Sequence, residues 1–421
     1  MASTVAAPES LSFDEARGRV LAAVTPGRVE RVPLERARGR VLAADLIAPI
    51  ALPPFRNSSM DGVAVRAADL EGADAASPAA LWVVGTIAAG HTPQRRLAPR
   101  DAMRIMTGAM LPEGADAVVP VEEVEFEPGR PFDRVHVRRA PAPGENVREP
   151  GADVTRDTRV LARGDELGPH ALALVAALGV TTLEVAAVPR VAVISTGDEL
   201  VEPREPLKPG AIRDTNRPLV GWLVEEAGGM IVRSHRVGDD AAAVTAAVRK
   251  ALSEADVVLT IGGVSAGDFD PVKQSLVSLG AIALWRVAMK PGRPQAFGAP
   301  AGRLFFGLPG NPASVACVFE TLVRPALRKL QGATRIDRPR VSAAVSESIP
   351  SRAGRTDFVR VTLARGDHGW VATPAGAQVS GHLAPQALAD GLLVVPAASE
   401  ALAAGESADV ILWRWPAGGT V

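Results

Sequence analysis

Four short stretches bring together residue types that can do chemistry, and each follows an apolar run. They are Ser195-Thr196-Gly197-Asp198-Glu199, the segment Gly262-Gly263-Val264-Ser265-Ala266-Gly267-Asp268-Phe269-Asp270, the turn Lys290-Pro291-Gly292-Arg293-Pro294, and Gly307-Leu308-Pro309-Gly310-Asn311-Pro312. Asp198, Glu199, Asp268 and Asp270 are hard oxygen donors, a set that suits Mg²⁺ beside phosphate oxygens, or simply solvated loop acids. Asp239 and Asp240 follow Val237-Gly238 and belong either to the same acidic rim or to the cap of the next helix. Gly262 and Gly263 form either a plain turn or a place where backbone approaches a ligand. Lys290 and Arg293, held between Pro291 and Pro294, are either solvated charges or an oxyanion clamp. Asn311 is a favoured N-cap and Pro312 a favoured first helical residue, so the helix start is a potential anion site or only a well-capped end.

These loops need a scaffold that aims them at one place. Between 190 and 330 the pattern alternates strand and helix, which predicts βαβ units and a parallel sheet. Strands are expected at 191–194, 230–237, 256–261, 282–287 and 304–307. Helices are expected at 218–227, 241–253, 272–279 and 312–330. The run Val257-Val258-Leu259-Thr260-Ile261 is apolar on both faces, as a covered central strand requires. In such a sheet ligands bind beyond the carboxyl ends of the strands, so all four stretches should face one crevice. No GxGxxG or GxxxxGK[ST] pattern is present, which disfavours a Rossmann dehydrogenase or a P-loop NTPase.

The rest of the chain reads differently. Residues 78–139 and 340–415 show short strands between Gly and Pro turns, as in a small β-barrel or sandwich. Composition breaks at Pro141–Gly144, at Pro189 and over 331–339 mark boundaries, and 421 residues are too many for one core. The net charge of −1 argues against a general nucleic-acid binder. Six scattered histidines and the single Cys317 argue against zinc or iron held by His and Cys, and Cys317 itself reads as a core residue. The start of the chain lacks a secretory pattern, and the weakly polar run 171–183 is too short to span a bilayer, so a cytoplasmic protein is expected with no membrane association.

Two further stretches, Asn57-Ser58-Ser59-Met60-Asp61-Gly62 and Arg104-Ile105-Met106-Thr107-Gly108-Ala109, are ambiguous turns when read alone. Taken with the others they change the reading. PPFRNSSMDGVAV (53–65), RIMTGAMLPEGADAVV (104–119), PGENVREPGADV (143–154), STGDEL (195–200), GGVSAGDFD (262–270), MKPGRP (289–294) and LPGNPAS (308–314) together resemble the molybdopterin molybdenumtransferase family, which includes the C-terminal domain of gephyrin. The acidic and glycine motifs of 190–330 also occur in single-domain adenylyltransferase relatives, whereas the Met-Asp-Gly and Met-Thr-Gly motifs do not.

The resemblance implies a multidomain α/β plus β fold. An elongated N-terminal domain would come from 8–50 and 145–187, and an inserted β domain from 51–144. A parallel-sheet domain like that of the adenylyltransferases would span 188–332, and a C-terminal β-barrel 336–421. It implies a homodimer with shared active sites, and insertion of molybdate into adenylylated molybdopterin with Mg²⁺-dependent cleavage of the phosphoanhydride and AMP release. Carried over by position, Asp61, Thr107, Glu199, Asp239 and Asp270 would be catalytic, with Glu199, Asp239 and Asp270 also holding Mg²⁺. Asp153, Gly262, Gly263, Ser265, Lys290, Arg293, Pro309, Asn311, Arg355 and Ser380 would bind substrate. A transient contact with the adenylyltransferase is implied as well. The chain departs from the family at Val63, where Tyr is frequent, at Arg56, where an acid is frequent, and at Phe269, Pro271 and Arg293. Two other readings keep parts of the pattern: a pterin adenylyltransferase using ATP, and a non-catalytic scaffold of the gephyrin kind.

Overall fold

The computed structural model describes residues 9–128, 133–263 and 282–416. The chain divides into two compact units, one of residues 1–44, 163–168 and 182–421, the other of 45–162 and 169–181.

The first unit is built on β1 (Glu9–Ser12), α1 (Phe13–Ala22), β2 (Arg190–Thr196), α2 (Asn216–Glu226), β3 (Met230–Val237), α3 (Ala241–Glu254), β4 (Val257–Ile261), β5 (Ile282–Lys290), β6 (Pro294–Gly298), β7 (Leu304–Leu308) and a helix α4 over 312–330. The strands run in the order β3-β2-β4-β7-β6-β5, with β1 parallel to β5. β3, β2, β4 and β7 are mutually parallel, while β6 is antiparallel to both neighbours. The alternation of strand side chains explains the layers. Val191, Val193, Val257, Leu259, Leu304 and Phe306 face a core shared with α1, α2 and α4. Ala192, Ile194, Val258 and Phe305 face a second core closed by Val244, Val248 and Ala251 of α3. α1 starts on a capping box: Ser12 Oγ accepts from Glu15 N at 3.2 Å, and Glu15 Oε2 accepts from Ser12 N at 2.8 Å.

Two local features differ from the expectation. Pro294–Gly298 forms a strand that the sequence reading left as the end of a loop, because Pro294 and the polar Gln295 interrupt its apolar pattern. α4 is not uniform: it widens into a π-turn over Phe319–Val323, just ahead of Pro325, which has no N–H to donate back. The expected helix 272–279 lies outside the described residues.

The same unit ends in β8 (Arg340–Val345), β9 (Thr356–Gly366), β10 (Gly369–Pro374), β11 (Gly391–Val395) and β12 (Ser407–Leu412). These pair β9-β10-β8-β12-β11, and β11 returns to β9, closing a five-stranded barrel. Val345, Val361, Leu363, Leu393, Val395, Val410 and Leu412 fill its interior. The barrel is joined to the α/β sheet where Met289 and Lys290 pair in parallel with Thr356 and Asp357.

The second unit contains a six-stranded sheet in the order Ala117–Pro120, Gly62–Val65, Asp101–Ile105, Ala79–Ile87, Asp133–Val137, Val124–Glu127. Val63 and Val65 enter the core on one face, Ala64, Met103 and Ile105 the core on the other. Val63 is fully buried and serves as a packing residue of this core. Gly62 is demanded by close approach: a Cβ there would lie 2.0 Å from the Val119 carbonyl oxygen. Gly62→Ala is therefore expected to destabilise this unit by about 1–3 kcal/mol, read as a lower urea midpoint; an unchanged midpoint would show that the strand pair opens without cost.

Candidate active site

Register fixes where the loops of the first unit lie. Thr196 pairs with Val237, Ser195 with Ile261, and Ile261 with Leu308, so four parallel strands end at one level. Their following residues, 197–199, 238–240, 262–263 and 309–311, form one rim; of the four stretches expected to meet, 195–199, the start of 262–270 and 307–312 reach it, while 290–294 follows β5 and 264–270 lies outside the described residues. Across it Asp198 N donates to Asp239 Oδ2 at 3.3 Å, and Asp239 N donates to Asp198 Oδ1 at 3.1 Å. Asp240 instead caps α3, accepting from Ala243 N at 2.7 Å, and so leaves the acidic rim.

Two glycines make the rim possible. Gly197 sits at φ 146°, and a Cβ there would be 2.5 Å from the Glu199 carboxylate, which folds back over it. Gly262 sits at φ 92°, and a Cβ there would be 2.9 Å from Thr196 Oγ1. Glu199, Asp239, Gly310 and Asn311 are exposed, while Pro309 is buried beneath them. Asn311 occupies the N-cap position of α4, but its side chain makes no capping bond. One of the helix's leading N–H groups is already used: Ala313 N donates to the Ser380 carbonyl at 3.1 Å. The helix start is thus less open to a phosphate than its sequence suggests, and its partner brings Ser380 to the rim. Ser265, Asp268, Phe269 and Asp270 lie outside the described residues. Among the described residues no group of three His, Cys, Asp or Glu side chains stands close enough to hold a metal ion.

Lys290 and Arg293 flank the turn between β5 and β6, and both are exposed. The turn is pinned from inside by buried Gln295, whose Nε2 donates to the Gly292 carbonyl at 2.7 Å. Arg355 is held by a carboxylate of its own segment. Its Nε and Nη2 donate to Asp357 Oδ1 and Oδ2 at 2.6 and 3.0 Å, and Asp357 is buried, so most of its charge is already matched.

The cation that sequence reasoning missed is Arg360, on the same strand and 3% exposed. Its guanidinium donates to the carbonyls of His382, Ala377 and Val379 at 2.9, 3.0 and 3.1 Å, and so shapes the loop that presents Ser380. Burial pushes its pKa down, with Cys317 acting the other way. Among the described residues it has no carboxylate partner. The available signal was an arginine inside the apolar run Phe358-Val359-Arg360-Val361. Cys317 is fully buried, and burial holds its thiol protonated.

In the second unit, the two ambiguous turns meet. Thr107 N and Thr107 Oγ1 both donate to Asp61 Oδ1, at 2.6 and 2.8 Å. The backbone N–H and then the hydroxyl hold the Asp61 carboxyl below its ordinary range. Because the folded value is depressed, whatever this pairing adds to stability is present above the unfolded pKa and lost as pH falls through the folded one. Thr107→Val is expected to move the Asp61 titration upward without restoring it fully, since the backbone bond remains; ¹³C-detected NMR titration of the Asp61 carboxyl measures this. Asp153 is exposed in the turn where its N–H donates to the Leu52 carbonyl at 2.9 Å. Arg56 pairs with Glu149 at 2.9 Å on the surface.

An α/β sheet with loops gathered at its strand ends, followed by a closed barrel and accompanied by a second β unit, is the architecture of the chain, and residues 192–329 match the probable molybdopterin binding domain. The flanking regions match the MoeA N-terminal region (domain I and II) over 11–179 and the MoeA C-terminal region (domain IV) over 342–413. Molybdopterin molybdenumtransferase 2 of Mycobacterium tuberculosis is 40% identical over 386 residues, 90% of this chain and 94% of its own. The molybdopterin molybdenumtransferase of Haemophilus influenzae is 39% identical over 353 residues, 83% of this chain and 85% of its own. The crystal structure of the molybdopterin biosynthesis MoeA protein from Pyrococcus horikoshii superposes with a TM-score of 0.81 at 33% identity, covering 97% of this chain and 100% of that one. The chain belongs to the molybdopterin molybdenumtransferase family and is a transferase.

Proposed function

We propose that the protein inserts molybdenum into molybdopterin during cofactor biosynthesis, taking adenylylated molybdopterin and molybdate and releasing AMP. The observation that carries this is the single rim on which Glu199, Asp239, Gly262 and the Pro309–Asn311 loop converge, inside the segment matching the molybdopterin binding domain.

The residues divide by chemistry. Glu199 and Asp239, with Asp270 as a third, would hold Mg²⁺. The fit rests on hard oxygen donors from adjacent loops and on the ion's habit of keeping several waters. When bound, the ion neutralises charge developing on the phosphoanhydride. The open backbone at Gly262 and Gly263 would let phosphate oxygens approach, with Ser265, Pro309 and Asn311 as further substrate contacts. Lys290, Arg293 and Ser380 would hold molybdate, a tetrahedral dianion, with Arg355 offering the one Nη that Asp357 does not take. Asp61, kept ionised by Thr107, would act on the reacting groups, with Asp153 nearby on the substrate.

We further propose that the two compact units carry the four domains at 8–50 with 145–187, 51–144, 188–332 and 336–421. A homodimer would share its active sites, Asp61 and Thr107 coming from a second copy. The enzyme would work in the cytoplasm and receive substrate through transient contact with the adenylyltransferase. No helix among the described residues is long and apolar enough to cross a membrane.

The test is AMP release, followed by chromatography, from purified protein and adenylylated molybdopterin with and without molybdate and Mg²⁺. Release that needs both supports the reading. Synthesis of the adenylylated pterin from ATP and molybdopterin would replace it with the adenylyltransferase reading, and tight peptide binding with no release would replace it with a scaffold.

A further inference from the structure

The segment 212–217 runs as a strap beside two parts of the rim. At one end Ile212 N donates to the Glu199 carbonyl at 2.8 Å, and 212–213 pair in parallel with 200–201. In the middle Asp214, 2% exposed, accepts from Ser195 Oγ at 2.6 Å. It also accepts from Arg217 N at 3.1 Å and Arg217 Nε at 2.9 Å. At the other end Asn216 opens α2, and its Nδ2 donates to the Gly310 carbonyl at 2.6 Å. Gly310 itself lies against Gly262: a Cβ added to it would be 3.9 Å from the Gly262 Cα. The same Asn216 side chain has a buried Oδ1 with no hydrogen-bond partner.

A buried amide with one half satisfied and the other half empty costs free energy unless something completes it. The strap is anchored through a buried carboxylate, so its end cannot drift to find a partner. We propose that Asn216 is a positioning residue of the rim. Its Nδ2 sets the Gly310 carbonyl and hence the Gly310–Asn311 backbone against Gly262, and its Oδ1 accepts a hydrogen bond from an N–H or O–H of the bound nucleotide portion of the substrate. Asp214 fixes the strap that carries it, linking the placement of this loop to that of Glu199. The inference rests on the proposed AMP-releasing reaction, because it assigns the donor to the adenylyl end.

The test uses full-length protein, with AMP as the calorimetric probe and AMP release as the kinetic one. Asn216→Ala and Asn216→Asp are compared with wild type after circular dichroism confirms the fold. Both variants are expected to bind AMP about tenfold more weakly and to raise KM by a similar factor, with a smaller change in kcat, as loss of a buried hydrogen bond implies. Asn216→Asp keeps an acceptor at Oδ1 but turns oxygen toward the Gly310 carbonyl, so it should be no better than Asn216→Ala. Wild-type affinity and KM in Asn216→Ala, or full rescue by Asn216→Asp, would overturn the assignment. Failure of the wild type itself to bind or release AMP would instead count against the proposed reaction.

Discussion

Asp61→Asn and Glu199→Gln are each expected to fold as the wild type does and to lose about 100-fold or more of molybdate-dependent AMP release. Both replacements keep side-chain shape and remove a negative charge. At Asp61 the charge is what the Thr107 N–H and hydroxyl are arranged to stabilise, so Asn must turn either an amide NH₂ toward two donors or a weaker oxygen. At Glu199 the carboxylate lies over Gly197 at the rim, where it is exposed and contributes little to packing. Melting temperatures should therefore stay near wild type while kcat falls. Full activity in both variants would remove these carboxylates from the chemistry.

Mixing the two inactive proteins extends the test. If each active site draws Asp61 from one copy and Glu199 from the other, random reassortment of a two-fold dimer restores about a quarter of the intact sites. If one copy supplies both residues, mixing restores nothing.

The second large effect concerns stability. Arg338→Met is expected to cost the first unit roughly 3 kcal/mol or more and to lower its melting temperature by on the order of 5–10 °C. Arg338, its side chain 8% exposed, bonds both oxygens of Glu320 at 2.9 Å. It also bonds Glu226 Oε1 at 2.6 Å. Glu320 lies in the π-turn of α4 and its side chain is 2% exposed, so removing the guanidinium leaves a buried carboxylate with no bonded partner. Burial works against the charge on Arg338, but its bonds to Glu226 and Glu320 together outweigh that and hold it protonated. Glu226, half exposed, contributes less. Its carboxyl is held below its usual range, first by the Arg338 bond, so its share is present above the unfolded pKa and fades as pH falls. Differential scanning calorimetry measures the loss. The double variant Arg338→Met with Glu320→Leu should recover much of it, because the buried carboxylate goes with its partner and the Glu226 left behind is half exposed; a single variant as stable as wild type would show that the pair adds nothing.

Much of this architecture was legible before any coordinates. Val191–Ile194 and Val257–Ile261 announce covered parallel strands through their unbroken apolar character, and the pattern then places the loops that follow these strands on one edge. The motifs at 57–62 and 104–109, taken with the other stretches, carry the family resemblance. Such signals are local: they follow from backbone periodicity, caps and turn chemistry, which depend on neighbours a few residues away.

What the sequence did not disclose depends on residues far apart in the chain or on an interrupted pattern. The strand at 294–298 was hidden by Pro294, its first residue, and by Gln295, whose amide bonds the carbonyl of Gly292. Arg355 and Arg360 look alike in a row of letters. The fold alone gives the first a buried carboxylate two residues away and the second a ring of loop carbonyls about twenty residues on. Likewise Asn216 and Gly310 are 94 positions apart, and their bond exists only because two strand ends finish at the same level. Sequence by itself determined most of the elements and the sheet edge at which the loops after the parallel strands gather, because those follow from side-chain period. Tertiary structure decided which polar groups are matched and which remain free to act, because that depends on what desolvates and neutralises each one.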